Sequence, residues 1–237
     1  MLFDAHFHVI DPRFPLVPNR GFVPEPFTVA DYRRSTAHLG VTGGAVVSGS
    51  FQAYDQTYLL DALTQLGEGF YGVANIPPGI SDEEVLALAG AGVRAWRLNL
   101  VRGGDAAQLA LAPRLRELAG WHLEVYVDGD DLPDLDLPDD VVLDHLALSN
   151  LPAVLRLVER GARVKASGFA RTRHDVPRAL RAIASVNPAA LLFGTDLPGT
   201  RAPRPFTDAD LELVRECAGE RALYDNARAV YASASRT

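Results

Sequence analysis

The chain has 237 residues, 48% hydrophobic and 22% charged, with 23 Lys plus Arg against 30 Asp plus Glu. That composition excludes collagen-like, disordered and disulfide-stapled classes and predicts one globular domain over residues 1–237. The net charge of −7 argues against nucleic acid or an anionic membrane as partner. A small-molecule substrate is expected instead, and an anionic one stays open through a local arginine cluster. The single cysteine, Cys217, has no intramolecular partner, no apolar run approaches the ~18 residues of a membrane span, and MLFDAHFH lacks the basic start of a signal peptide. These signs predict a soluble, cytoplasmic protein and leave the oligomeric state unread.

Eight β-rich runs follow one another: LFDAHFH (2–8), GAVVSG (44–49), FYGVANI (70–76), VRAWRLNL (93–100), HLEVYV (122–127), VVLDH (141–145), ARVKAS (162–167) and LLFGTD (191–196). Amphipathic segments lie between them. Thr28, Asp55, Ser81 and Asn150 open helices, Ser81 with Glu84 in capping-box position. Gly40, Gly67, Gly92, Gly120 and Gly161 close them. The stretch DGDDLPDLDLPDD after the fifth run is too rich in Pro and Asp for a good helix, so that crossover is expected to be short or irregular. Eight strands alternating with about as many helices predict an α/β fold, a single (β/α)8 TIM barrel, over a doubly wound open sheet.

In such a barrel the chemistry sits at the C-terminal ends of the strands. Asp4, His6 and His8 are spaced by two and are expected to share one face of the first strand. The sixth run ends at His145 and the eighth at Asp196. His and Asp delivered to one rim by three strands are metal ligands or acid–base groups more readily than packing residues. As a helix cap, Asp196 is poorly placed, because Pro198 to Pro205 delay the next helix to about Thr207.

FDAHFHVID, GVRAWRLNL, GWHLEVYVDGDDL, VVLDH, ARVKASGFAR, LLFGTDLP and YDNARAVY, in that order, resemble the amidohydrolase superfamily. The resemblance spans nearly the whole chain. It is to metal-dependent-hydrolase barrels of the amidohydrolase-2 type, and within them to the lactonase-like branch of 2-pyrone-4,6-dicarboxylate and sugar lactonases. It implies a hydrolase in which Asp196 acts as general base on water. His6, His8 and His145 then surround the substrate carbonyl or a metal.

One departure bears on the metal. Related metal-dependent enzymes commonly take a ligand from strand five, which here ends Tyr126, Val127, Asp128. His122 has the right parity but lies about 13 Å lower. His6, His8 and Asp196 could still hold one divalent ion, zinc or manganese, with His145 or water completing the shell. A metal-independent mechanism stays equally open.

Arg97, which shares a strand face with Asn99, and Arg171 suit a substrate carboxylate or an oxyanion; an internal salt bridge is the alternative. Tyr126 and Ser50 are further candidates for substrate contact, with Ser48 and Gln52 as plain polar lining. Lys165 and Ser167 share a face, and an ion pair is as good a reading of Lys165 as chemistry. Gly67, Gly69 and Gly72 match dinucleotide-binding spacing but precede a strand, so they carry no phosphate loop. Cys217, Trp96 and Trp121 read as packing, and His38 and His174 have no assigned role. The expected function is hydrolysis of a small cyclic substrate, a lactone foremost, with a metal-dependent decarboxylase and a non-catalytic ligand-binding barrel as alternatives.

Overall fold

The computed structural model describes residues 1–232. Eight strands run parallel in sequential order: β1 Leu2–Phe7, β2 Val41–Val47, β3 Phe70–Ala74, β4 Val93–Asn99, β5 His122–Tyr126, β6 Val142–Leu143, β7 Arg163–Ala166 and β8 Leu191–Phe193. Helices α1 Val29–Thr36, α2 Thr57–Leu66, α3 Asp82–Gly90 and α4 Ala112–Ala119 follow the first four strands in turn. Then α5 Leu151–Arg160 follows β6, α6 Val176–Val186 follows β7, and α7 Asp208–Ala218 and α8 Asp225–Ala232 follow β8. The β5–β6 crossover holds only a 3-10 turn, Leu132–Asp134, as its composition predicts. No helix among the described residues is long and apolar enough to cross a membrane.

Three of the four expected caps form. Thr28 and Ser81 make capping boxes with Asp31 and Glu84, and Asn150 caps α5. Asp55 instead binds Thr57 through both the backbone N–H and the hydroxyl, and Gln56 stands at the cap of α2. Phe3, Ala45, Val73, Val142 and Leu192 fill the lumen with Tyr231 of α8, whose ring stacks on Phe3. Trp96 and Trp121 pack in the larger core between strands and helices.

Asp4 departs from the expected face. The β1–β2 register slips between Asp4 and Phe7, so Asp4 reaches Tyr32 of α1 while His6 turns toward the lumen. There Asp4 becomes the clasp of the barrel. Its carboxylate accepts the Thr195 N–H (2.8 Å) and hydroxyl (2.7 Å), the Tyr32 hydroxyl and the His6 N–H. Backbone bonds from Asp196 N to His6 O (2.7 Å) and from His8 N to Leu197 O (2.8 Å) complete the β8–β1 seam. Gly194 permits the approach, since a Cβ there would lie 2.8 Å from that of His6. The seam thus sets His6, His8 and Asp196 side by side.

Candidate active site

At the seam, Oδ1 of Asp196 lies 3.8 Å from Nε2 of His6, of His8 and of His145 alike. Oδ2 is taken by Arg171, whose Nε donates at 2.8 Å while its NH2 also reaches the Thr200 carbonyl. Asp196 Oδ1 and His6 Nε2 are buried without a hydrogen-bond partner among the described residues. Buried polar atoms in native proteins are nearly always satisfied, so this pair marks a place built for something else.

Each imidazole is held from behind. His8 Nδ1 lies 2.7 Å from the Val47 carbonyl, an acceptor only, so the proton is on Nδ1 and Nε2 presents its lone pair. His145 Nδ1 meets the Ser167 hydroxyl at 2.9 Å, which can donate or accept and so supports either tautomer. His6 Nδ1 sits 3.2 Å from Asp144 Oδ1 and 3.3 Å from Lys165 Nζ. Burial drives all three pKa values down, His8 and His145 furthest, while the Asp144 carboxylate pulls His6 part of the way back up. Burial thus favours the neutral imidazole, the form that can act as a ligand.

The backbone bends to aim His145. β6 is two residues long, and His145 to Leu148 all adopt left-handed φ between 51° and 63°, a conformation that disfavours non-glycine residues by about 1–2 kcal/mol each. Such strain persists where surrounding structure enforces it. Gly168 makes room, because a Cβ on it would stand 2.5 Å from His145 Nδ1.

A metal fits. His6, His145 and Asp196 offer ligand atoms within 4.8 Å of one another, and held Nδ1 atoms with bare Nε2 atoms are the usual outer arrangement of histidine ligands. His8, expected among the ligands, lies outside that set although it shares the contact with Asp196 Oδ1. His122 is paired with Glu124 at 3.2 Å, low in the barrel.

The cleft over Asp196 has a volume of about 40 Å³ and is lined by His8, Ser50, Arg97, Asn99, Tyr126, His145 and Arg171 among others. Ser50, Arg97, Asn99 and Arg102 also line a neighbouring space of about 230 Å³. Arg97 is an ion pair first: Nε and NH2 hold Asp144 at 2.9 Å and NH1 reaches the Ser48 carbonyl. Tyr126 lies under the Arg97 guanidinium and edge-on to His145. Ser48 and Gln52 are committed to buried bonds with Tyr58, Val9 and Gly49. Arg102 and Arg201 line the mouth with no carboxylate paired to either among the described residues. Arg102 ends a 3-10 turn, Leu100–Arg102, and Arg201 lies in the turn region between β8 and α7, so they escape a motif-based reading; their only signal is positive charge after β4 and β8. A larger cavity, about 770 Å³, lies on the flank beside the helix-free crossover, lined by Leu109, Trp121 and Leu137 among others. It holds none of the rim residues.

A family model described as amidohydrolase matches residues 3–232. The chain belongs to the amidohydrolase family. This amidohydrolase is 34% identical over 155 residues to a 2-pyrone-4,6-dicarboxylate hydrolase of Comamonas testosteroni, a match covering 60% of this chain and 50% of that protein. Its fold matches that of an Agrobacterium tumefaciens protein with a TM-score of 0.84 at 24% identity, covering 98% of this chain and 95% of that one. A probable 2-pyrone-4,6-dicarboxylic acid hydrolase of Acinetobacter baumannii, with citric acid bound, gives 0.81 at 20% identity, covering 98% and 99%.

Proposed function

We propose that this amidohydrolase opens the ring ester of a small carboxylated lactone by attack of water, with Asp196 as general base. One observation carries the reading. Two bare lone pairs, Asp196 Oδ1 and His8 Nε2, face each other across 3.8 Å, and only a proton donor or a cation can satisfy both. A water placed there gives a proton to Oδ1 as its oxygen attacks the carbonyl carbon, while the Arg171 fork keeps the carboxylate from turning away. With Ser167 donating to its Nδ1, His145 presents Nε2–H to the oxygen on which negative charge develops. Collapse of the tetrahedral intermediate breaks the ring C–O bond, and the proton on Asp196 passes to the leaving oxygen, giving a hydroxy acid.

When a divalent ion, zinc or manganese, is bound by His6, His145 and Asp196, it supplies Lewis-acid polarisation of the carbonyl and acidity to a bound water. The name of the Comamonas relative supports a dicarboxylated ring as substrate. Arg102 and Arg201 at the mouth suit its carboxylates, and Arg97, Tyr126, Arg171 and Ser50 line the ring's place.

The test is a lactone panel that includes 2-pyrone-4,6-dicarboxylate, sugar lactones and an uncharged lactone, followed by pH-stat with carbon dioxide trapping. The expected result is one acid equivalent per ring opened, fastest on dicarboxylated rings. Release of carbon dioxide would replace this reading with the decarboxylase, and absence of turnover would leave a binding barrel.

A further inference from the structure

His145 is carried on a backbone that its own sequence does not favour. From His145 to Asn150 the chain reads HLALSN, with no glycine, yet His145, Leu146, Ala147, Leu148 and Asn150 take left-handed φ of 51° to 63°. Non-glycine residues visit that region singly and at a cost, so the unbroken run from His145 to Leu148 is imposed by contacts from outside the segment. Local bonds, from Leu148 N–H to the His145 carbonyl at 3.1 Å and from Ser149 N–H to the Ala147 carbonyl at 2.7 Å, supply part of the restraint. Gly129, after β5, adds its N–H to the Ala147 carbonyl at 2.6 Å.

Further bonds come from the loop after β7. The Leu148 carbonyl accepts the Arg173 N–H at 2.7 Å and the Thr172 hydroxyl at 2.9 Å, and the Leu146 carbonyl faces His174 Nε2 at 3.0 Å. A carbonyl only accepts, so that nitrogen carries its proton. The same loop holds the other half of the site, because Arg171, one residue earlier, bonds Asp196 Oδ2 at 2.8 Å. The strap is folded on itself: His174 N–H bonds the Thr172 hydroxyl at 3.2 Å and Arg171 N–H the Gly168 carbonyl at 2.8 Å. Its outer side is fixed by the Arg173 guanidinium, which takes both oxygens of Asp128. Consecutive residues of one segment thus reach both the Asp196 carboxylate and the turn that aims His145.

We infer that Thr172 and His174 are positioning residues: with the Arg173 N–H they hold the left-handed turn against its own strain, and since Arg171 sits on the same strap, one short loop sets His145 against Asp196. Neither Thr172 nor His174 lines the cleft over Asp196. Loss of either bond therefore lets the turn relax and carries the imidazole off its mark, while the substrate's own contacts stay in place. The inference rests on His145 acting on the substrate, but the placement of its ring can be read without turnover.

The test removes each bond and then restores it. His174→Phe keeps a ring without the donor, and His174→Gln returns an amide N–H near the place of Nε2. Thr172→Val and Thr172→Ser do the same for the hydroxyl. Thr36→Val is the control for losing a buried hydroxyl-to-carbonyl bond elsewhere, that from Thr36 to the Tyr32 carbonyl at 2.9 Å in α1. Protein labelled with ¹³C at histidine gives the ring signal of His145, identified by its loss in His145→Asn and sensitive to the Tyr126 ring 5.1 Å away; lactone hydrolysis gives kcat and KM. His174→Phe and Thr172→Val should each move that signal and lower kcat about 10-fold, and the two together about 100-fold, the effect of a displacement near 1 Å, with KM within about threefold. His174→Gln and Thr172→Ser should restore both signal and kcat, and Thr36→Val should lower the urea midpoint and move neither. An unmoved His145 signal in the His174→Phe/Thr172→Val protein would overturn the inference, as would a kcat loss that follows the urea midpoint across all variants, Thr36→Val included. If the double variant fails to fold, the same signal in the single variants decides. A signal that moves as expected in a protein without lactone turnover would uphold the positioning and refute the lactone reading.

Discussion

Gly168→Ala puts a methyl group where the site has no space. The new Cβ would lie 2.5 Å from His145 Nδ1, 2.9 Å from its Cγ and 3.1 Å from Arg171 Cδ, at a φ of +58°. The imidazole cannot swing aside, because it packs against His6 and Tyr126 with ring centroids 4.6 and 5.1 Å away. Restoring ordinary contact requires a shift of about 0.9 Å, which breaks the bond to Ser167, and a displacement near 1 Å at a reacting group reduces turnover about 100-fold. The left-handed φ adds about 1–2 kcal/mol and the overpacking about 1–3 kcal/mol, together a fall in Tm of about 4–20 °C at this chain length. Gly40→Ala is the control, with φ +69° and nothing within 4 Å of its Cβ; it should lose about 1–2 kcal/mol and no activity. Steady-state lactone hydrolysis and thermal unfolding of both variants check this. A Gly168→Ala enzyme with wild-type kcat, or one no more impaired than Gly40→Ala, would refute the placement of His145.

Arg171→Met leaves the buried Asp196 carboxylate without its partner and should destabilise by about 3–5 kcal/mol in urea unfolding, with kcat falling further than binding weakens. Burial pushes the Asp4 carboxyl up to about 6 against the pull of its four donors. A raised folded-state pKa means stability present at low pH and lost as pH rises through that value. Relative to Asp4→Asn, the wild type should therefore lose stability between about pH 4 and pH 6, seen as a difference between their urea midpoints. Glu124 and Asp144 run the other way. Burial is the largest influence and raises both carboxyls, but the Lys165 ammonium together with His122 beside Glu124, and with His6 and Arg97 beside Asp144, outweighs it and holds them below the ordinary range, Asp144 well below. Their contribution is present above the unfolded carboxylate range and lost as pH falls through it, and Glu124→Gln/Lys165→Met should flatten that acid limb.

Much of the fold was legible because its signals are local. Alternating strands and helices, the boxes at Thr28 and Ser81 and the Pro/Asp-rich crossover each follow from a few neighbouring residues. The rim histidines and Asp196 were legible because barrel geometry fixes where strands end. The side of the strand on which Asp4 lies was not, since it depends on a register slip between β1 and β2. Nor was the commitment of Arg97 to Asp144, 47 positions away, or the gathering of Glu124, Asp144 and Lys165 behind His6, which no spacing rule encodes. Ser48 and Gln52 read as loop lining because burial of a loop is a tertiary outcome. The glycines Gly67, Gly69 and Gly72 were rightly set aside: Gly67 closes α2, and a Cβ on Gly72 would press on Val93 and Leu59.

The central claim is that Asp196 Oδ1 takes the proton of the attacking water. Asp196→Asn keeps the volume and an oxygen for Arg171, so circular dichroism should be unchanged while single-turnover hydrolysis of a dicarboxylated lactone falls about 10²- to 10⁴-fold. Turnover within a few-fold of wild type in a folded Asp196→Asn protein would contradict the account.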